Sequence, residues 1–282
     1  MGRRPASAGP PVVLRGRIIE QYGTACRIQE MRQTPRFQSA LFVVDLMQGA
    51  RLIRILGAIG KSGQLTEQSG MDLLHPERLV FLYERLMLLA LALVERPASV
   101  LLLGLGGGAM CRHLQAYLPA IRVSVVERDP VVIDLARRFF HITRAIRSAD
   151  AQELVADAPR RYDVILADLY DGRGMERFET GFWQDCARAL RPGGCLAVNW
   201  AAFVDDALAR VEAKAIVEAV GRSFFVGPRA LDENVVQLAP ADPIRLADIA
   251  PRWRRFAREH HLPREDREVL KRCRLTEGFP VR

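Results

Sequence analysis

The chain has 282 residues, 49% of them hydrophobic and 26% charged, with a formal net charge of +8. This supports a large packed core and excludes a disordered chain, and no apolar run reaches the ~18–20 residues of a membrane span. The positive charge is almost all arginine, with lysine only at Lys61, Lys214 and Lys271, and it is interleaved with acids, so it argues little for a nucleic-acid partner.

Residues 1–11, rich in Gly, Pro, Ala and Ser, read as a flexible tail. No apolar segment of signal-peptide type follows Arg3 and Arg4, so a cytoplasmic location is the expectation. Residues 12–19, 25–31, 38–46 and 51–59 alternate partially and are separated by Gly or polar turns, which predicts a small antiparallel β region over residues 12–70. Residues 63–69 are polar and turn-like. A helix is expected to open at His75-Pro76-Glu77 and run to about Val94, with Leu79, Leu82, Leu86, Leu89 and Leu93 at helical spacing.

From residue 100 the pattern becomes alternating β/α. Strands are expected at 100–103, 123–126, 143–147, 164–167 and 195–199, with helices at 109–118, 131–140, 152–156, 180–190 and 208–220. Arg191-Pro192-Gly193-Gly194 reads as a tight turn, and residues 223–226 and 235–238 as a closing hairpin. A basic, amphipathic helical extension occupies residues 241–282. The predicted class is α/β, a Rossmann-like doubly wound, mostly parallel sheet over residues 71–240 with the small antiparallel β region ahead of it.

The centre of this pattern is LLLGLGGGAM at residues 101–110. A buried strand runs into Gly104, Gly106, Gly107 and Gly108, and a helix begins at once. Such a turn lets a ligand approach the backbone and leaves free N–H groups at the helix start. Glu127 ends the second strand, where a carboxylate accepts from the vicinal hydroxyls of a ribose. That suits NAD and an adenosyl sulfonium equally well. Asp150, just past the third strand, suits an exocyclic adenine amine, and the fourth strand ends in ADLYDG, which carries Asp168 and Asp171. The ligand crevice of an open α/β sheet gathers at these strand ends.

The five cysteines, Cys26, Cys111, Cys186, Cys195 and Cys273, are scattered and form no CxxC pair, so neither a disulfide framework nor a metal site is expected.

On the motifs FLYERL (81–86), the glycine strand, VSVVERDP (123–130) and YDVILADLYDG (162–172), the chain resembles the spermidine synthases, polyamine aminopropyltransferases on the class I S-adenosylmethionine-dependent methyltransferase fold. The resemblance spans about residues 75–200. It implies roles for Tyr83, Asp168 and Asp171 in catalysis, and for Gly104, Gly106, Gly107, Gly108, Glu127, Asp150 and Asp168 in holding the donor. It also implies a small-molecule amine acceptor and a homodimer built with the N-terminal β region, while the composition argues against a membrane or nucleic-acid partner. The family loop carries an aspartate where this chain has Gly107. An aspartate attracts a bare ammonium and repels a carboxylate, and glycine removes that selection. The resemblance therefore implies decarboxylated S-adenosylmethionine as donor, with S-adenosylmethionine itself, and methyl transfer, as the alternative. A non-enzymatic nucleoside-binding module and an NAD-linked dehydrogenase rank below both.

Overall fold

The computed structural model describes residues 11–34, 39–60, 64–169, 178, 181–200, 207–228 and 234–278. Residues 1–10 of the expected tail, and both Tyr170 and Asp171, lie outside them, while Pro11, its last residue, begins a helix.

The chain opens with a helix, α1 (Pro11–Tyr22), where alternation had suggested a strand over residues 12–19. Ile18 is its fully buried contact. Four antiparallel strands follow in the order β1 (Arg27–Thr34), β2 (Ser39–Gln48), β3 (Arg51–Ile59) and β4 (Leu65–Asp72). The polar segment at residues 63–69 is thus mostly strand, not turn. Its register against β3 runs from Leu65↔Ile59 to Asp72↔Ile53, so ladder hydrogen bonds and the burial of residues 69–72 override its weak propensity.

The helix expected over residues 75–94 is shorter and divided into α2 (Leu82–Met87) and α3 (Leu89–Leu93). The Asp72 carboxylate accepts from the Leu74 and His75 amides at 3.0 and 3.2 Å, which turns the chain before any helix can start. Glu84 then accepts the Phe81 amide at 3.1 Å and fixes the first turn of α2.

The remaining elements are β5 (Ser99–Leu103), α4 (Ala109–Tyr117), β6 (Arg122–Glu127), α5 (Pro130–Phe139), β7 (Arg147–Ser148), α6 (Ala151–Ala156), β8 (Tyr162–Ala167) and α7 (Phe182–Ala189). After these come β9 (Leu190–Trp200), α8 (Ala207–Val220), β10 (Phe224–Pro228), β11 (Val235–Pro240), α9 (Leu246–Glu259), α10 (Arg264–Arg267) and β12 (Cys273–Thr276). Their eight strands form one sheet in the order β12-β10-β11-β9-β8-β5-β6-β7. From β9 to β7 the neighbours are parallel; β11, β10 and β12 extend the edge antiparallel.

β5 lies at the centre because every residue in it is buried. Val100 and Leu102 face one layer of helices, and Leu101 and Leu103 face the other. β7 is only two residues long, shorter than the strand expected at 143–147. The Arg191–Gly194 turn lies inside β9 as a bulge: pairing with β8 steps from Tyr162↔Leu190 to Val164↔Cys195. The hairpin of β10 and β11 forms as expected. The C-terminal segment is not all helix, since β12 pairs with β10. Trp253 of α9 is fully buried with Ile249 in the core cluster that contains α3.

All five cysteines are free; Cys111, Cys186, Cys195 and Cys273 are buried. Among the described residues no helix is long and apolar enough to cross a membrane.

Candidate active site

The glycine turn closes on the sheet through its own backbone. Gly104 has φ +93°, and a Cβ on it would lie 2.2 Å from the Asp168 carbonyl oxygen, so only glycine fits there. The Gly104 amide donates to the Val126 carbonyl at 2.9 Å, and the Asp168 amide to the Leu103 carbonyl at 2.9 Å. The ends of β5, β6 and β8 are thereby tied side by side. Gly108, at φ +72°, caps α4 in the left-handed conformation.

Glu127 is half-buried at the end of β6 and faces the turn. Its two carboxylate oxygens accept from the Leu105 amide at 3.1 Å and the Asp129 amide at 2.8 Å. Burial raises its pKa, and the two amides oppose that rise. A carboxylate held in this way can also accept from a ribose diol. Asp129 in turn caps α5: it accepts the Val131 amide at 2.8 Å, with Pro130 in the first helical position. Its second oxygen accepts from Thr34 at 2.8 Å, which ties β1 to the site.

Asp150 is the N-cap of α6 and accepts the Gln152 amide at 2.9 Å. Its other oxygen lies 3.6 Å from the Arg128 guanidinium. The carboxyl is therefore engaged with its own helix and a neighbour, at the rim of the same strand ends.

Asp168, half-buried just past β8, accepts from the side-chain amide of Asn199 at 2.8 Å and from the hydroxyl of Tyr83. Burial pushes its carboxyl up, and these two bonds counter the shift. The Tyr83 phenol is raised well above its usual range, first by burial and then by the Asp168 charge. Tyr83 also lies 3.5 Å from the Gln68 carbonyl, on the strand of the N-terminal sheet that abuts the turn. The structure thus brings Tyr83, Asp168, Glu127 and the glycine turn together. Asp171, paired with Asp168 in the sequence reading, lies outside the described residues.

Three participants had no distinct signal in the sequence. Asn199 is a polar residue near the end of an otherwise apolar strand, which is the one hint it offered; it is 7% exposed and its carbonyl oxygen is buried without a hydrogen-bond partner among the described residues. Glu84 is buried, and its carboxyl is pushed up to about 8 by desolvation, with Asp168 adding to the shift and Arg112 and Arg85 opposing it. Arg112 lies behind the turn: its guanidinium donates to the carbonyls of Gly107 and Phe140, and to Pro76 at 2.8 Å. Desolvation lowers its pKa to about 10. Among the described residues no group of His, Cys, Asp and Glu is arranged to hold a metal ion.

Residues 80–208 match the Spermine/spermidine synthase domain. The polyamine aminopropyltransferase of Chromobacterium violaceum is 37% identical over 145 residues, covering 49% of this chain and 56% of that protein. The polyamine aminopropyltransferase of Neisseria meningitidis serogroup A is 36% identical over 146 residues, with the same shares. The chain spans about half the length of the curated relatives it matches. Among solved structures, a spermidine synthase in complex with the transition-state analogue AdoDATO superposes with a TM-score of 0.66 at 19% identity, over 90% of this chain and 86% of that one. Human methyltransferase-like protein 13 in complex with SAH superposes with a TM-score of 0.55 at 22% identity, over 66% of this chain and 95% of that one. These two likenesses concern the fold. Residues 80–208 thus resemble the spermine/spermidine synthase domain, and the sheet has the fold of the two superposed structures.

Proposed function

We propose that the chain is a transferase that moves an aminopropyl group from decarboxylated S-adenosylmethionine to a diamine or polyamine by in-line displacement. The observation that carries this reading is the half-buried Asp168 carboxylate, held by Tyr83 and Asn199 across from a glycine turn with Glu127 at its side. The likeness of residues 80–208 to polyamine aminopropyltransferases supports it.

The chemistry divides simply. The donor sulfonium is already electrophilic, so the protein's task is to hold an uncharged amine in line with the carbon–sulfur bond. The amine lone pair forms the new carbon–nitrogen bond while the carbon–sulfur pair returns to sulfur, which leaves as a neutral thioether. An alkyl amine is protonated near pH 7 and must lose that proton. Asp168, with its carboxyl raised by burial, accepts it, and Tyr83 orients the amine. Asp171 holds the far end of the cationic acceptor in this proposal. Glu127 binds the ribose and Asp150 the adenine amine; the backbone of Gly104, Gly106, Gly107 and Gly108 forms the floor. The acting form is proposed as a cytoplasmic homodimer, consistent with the exposed Met47 and Leu52 side chains paired across β2 and β3.

A second reading, methyl transfer from S-adenosylmethionine, is favoured by one observation. No carboxylate stands at Gly107 to reject a donor carboxylate, and Phe140 and Ser69 line that position instead. Calorimetry of the purified full chain with each donor, followed by chromatography of the products formed with a linear diamine, separates the two. Methylthioadenosine is expected as product. S-adenosylhomocysteine formed from the carboxylated donor would overturn the first reading in favour of the second.

A further inference from the structure

Away from the proposed active site, a histidine and an aspartate meet in the core with no other partner for their facing atoms. His113, in α4, is fully buried, and Asp266, in α10, is 1% exposed. His113 Nε2 lies 3.6 Å from Asp266 Oδ2, and neither atom has a hydrogen-bond partner among the described residues. The other two polar atoms are committed. His113 Nδ1 is 3.0 Å from the Glu77 carbonyl, and Asp266 Oδ1 accepts from Arg85 Nε at 3.0 Å.

The commitments decide where protons can sit. A carbonyl only accepts, so Nδ1 must carry the ring proton. In a neutral ring Nε2 is then a bare lone pair, and it faces a carboxylate oxygen, also an acceptor. Two acceptors cannot bond each other unless one proton lies between them. Placing it on the ring would put an imidazolium beside the Arg85 guanidinium in a water-free site. Placing it on the carboxyl avoids setting two cations side by side.

We propose that the Asp266 carboxyl, on taking up a proton, shares it with His113 Nε2, and that the pair so bridged is a latch fastening the C-terminal segment to the helix that begins at the glycine turn. Asp266 is further anchored by its backbone, whose carbonyl accepts from Trp253 Nε1 of α9 at 3.0 Å. Arg85 stands on α2, two residues from Tyr83, and donates also to the carbonyls of Leu79 and Val80. His113 follows Arg112, which grips Gly107 and Phe140. The latch therefore joins three elements: the turn's helix, the helix of Tyr83 and the C-terminal segment. It stands whichever donor the site takes.

The charged groups around the pair agree with this order. Desolvation, with Arg85 adding to it, lowers His113 to about 4 against the pull of the Glu77 carbonyl. Desolvation, with Glu265 adding to it, raises Asp266 to about 6, against Arg85 and Arg78. Tyr117, whose ring lies 4.7 Å from that of His113, is raised first by burial and then by the Glu77 charge. The order of protonation is inverted: the carboxyl takes its proton before the imidazole does.

The inversion also fixes the sign of the pH dependence. A depressed histidine withdraws stability as pH falls from about 6.5 toward about 4, and a raised aspartate supplies it as pH falls below about 6. In the pair the two cancel to within a few-fold in the unfolding constant at pH 4.5. With the carboxyl removed the histidine acts alone.

Two measurements on the full chain test this. In the wild type, ¹⁵N shifts of the His113 ring should report the neutral Nδ1–H tautomer from pH 8 to pH 5. An imidazolium signature above pH 5, or the Nε2–H tautomer, overturns the proposal. In Asp266→Asn the amide can still donate to Nε2 and accept from Arg85. There the unfolding constant should rise on the order of 25-fold more than in wild type between pH 7 and pH 4.5. Parallel curves for the two proteins would overturn it as well, and the tautomer result is readable if the variant does not fold.

Discussion

The ring of Phe140 occupies the space that any side chain at Gly107 would need: a Cβ there would lie 2.8 Å from Phe140 Cδ1 and 3.0 Å from Ser69 Oγ. The glycine is thus built into its surroundings, and the wall beside it belongs to the fully buried Phe140 at the C-cap of α5.

Gly107→Asp should therefore not install a selective donor pocket. It should overpack the turn, costing about 1–3 kcal/mol, and lower Tm by several degrees. Combined with Phe140→Ala it should cost less than the sum of the two single changes, because the ring is what the new side chain meets. Thermal unfolding of the four proteins measures the coupling; strict additivity would show that the ring is not the obstacle.

Glu127→Gln replaces one of the two acceptor oxygens by an N–H₂ group that must face a backbone amide or a ribose hydroxyl. Hydrogen bonds to a charged group are worth about 1.5–3 kcal/mol, so donor affinity should weaken by roughly 10- to 100-fold. Calorimetric titration with the adenosyl donor reads this directly. An unchanged Kd would remove Glu127 from the donor site.

Asp168→Asn keeps the shape and loses the base. The kcat for transfer should fall by roughly 10²- to 10⁴-fold, while donor Kd changes only a few-fold. Tyr83→Phe should reduce turnover less, since the Asn199 bond to Asp168 remains. Steady-state kinetics with a diamine, alongside donor titration, distinguish a lost base from a collapsed site.

Glu84 gives the stability curve an alkaline slope. Its carboxyl is raised from 4.5 to about 8, so the folded state prefers the protonated form. That contribution is full below about 4.5, fades as pH rises, and is gone above about 8. Relative to Glu84→Gln, wild type should lose stability across this window by at most ~1.4 kcal/mol per pH unit. Urea titrations at pH 5, 7 and 9 check it; equal slopes for both proteins would place the ionised carboxylate inside the fold without penalty.

Legibility in the sequence followed how far each structure is determined locally. The central strand could be read because Val100–Leu103 are apolar without a break and glycine follows at once. Glu127 and Asp168 could be read because they stand at fixed offsets beyond apolar strands. By contrast, α1 carries Val12, Val13 and Leu14, which read equally well as a strand. β4 was hidden because Thr66, Glu67 and Gln68 sit in an edge strand whose pairing partner supplies the stability. β12 is four residues long and exists through its ladder with β10. Asn199 and Glu84 gain meaning only from what folding sets beside them: an Asp168 carboxylate for one, and a water-free pocket for the other.

The position of β12 has a consequence for assembly. It pairs with β10, although α9 and α10 intervene in the chain, so during synthesis β10 exposes an open row of amides and carbonyls until those helices have been made. An unpaired strand edge is a template for association with other chains. Nascent chains stalled before Cys273 should therefore be the ones that cling to one another, and a chaperone that shields strand edges would act on this protein late rather than early.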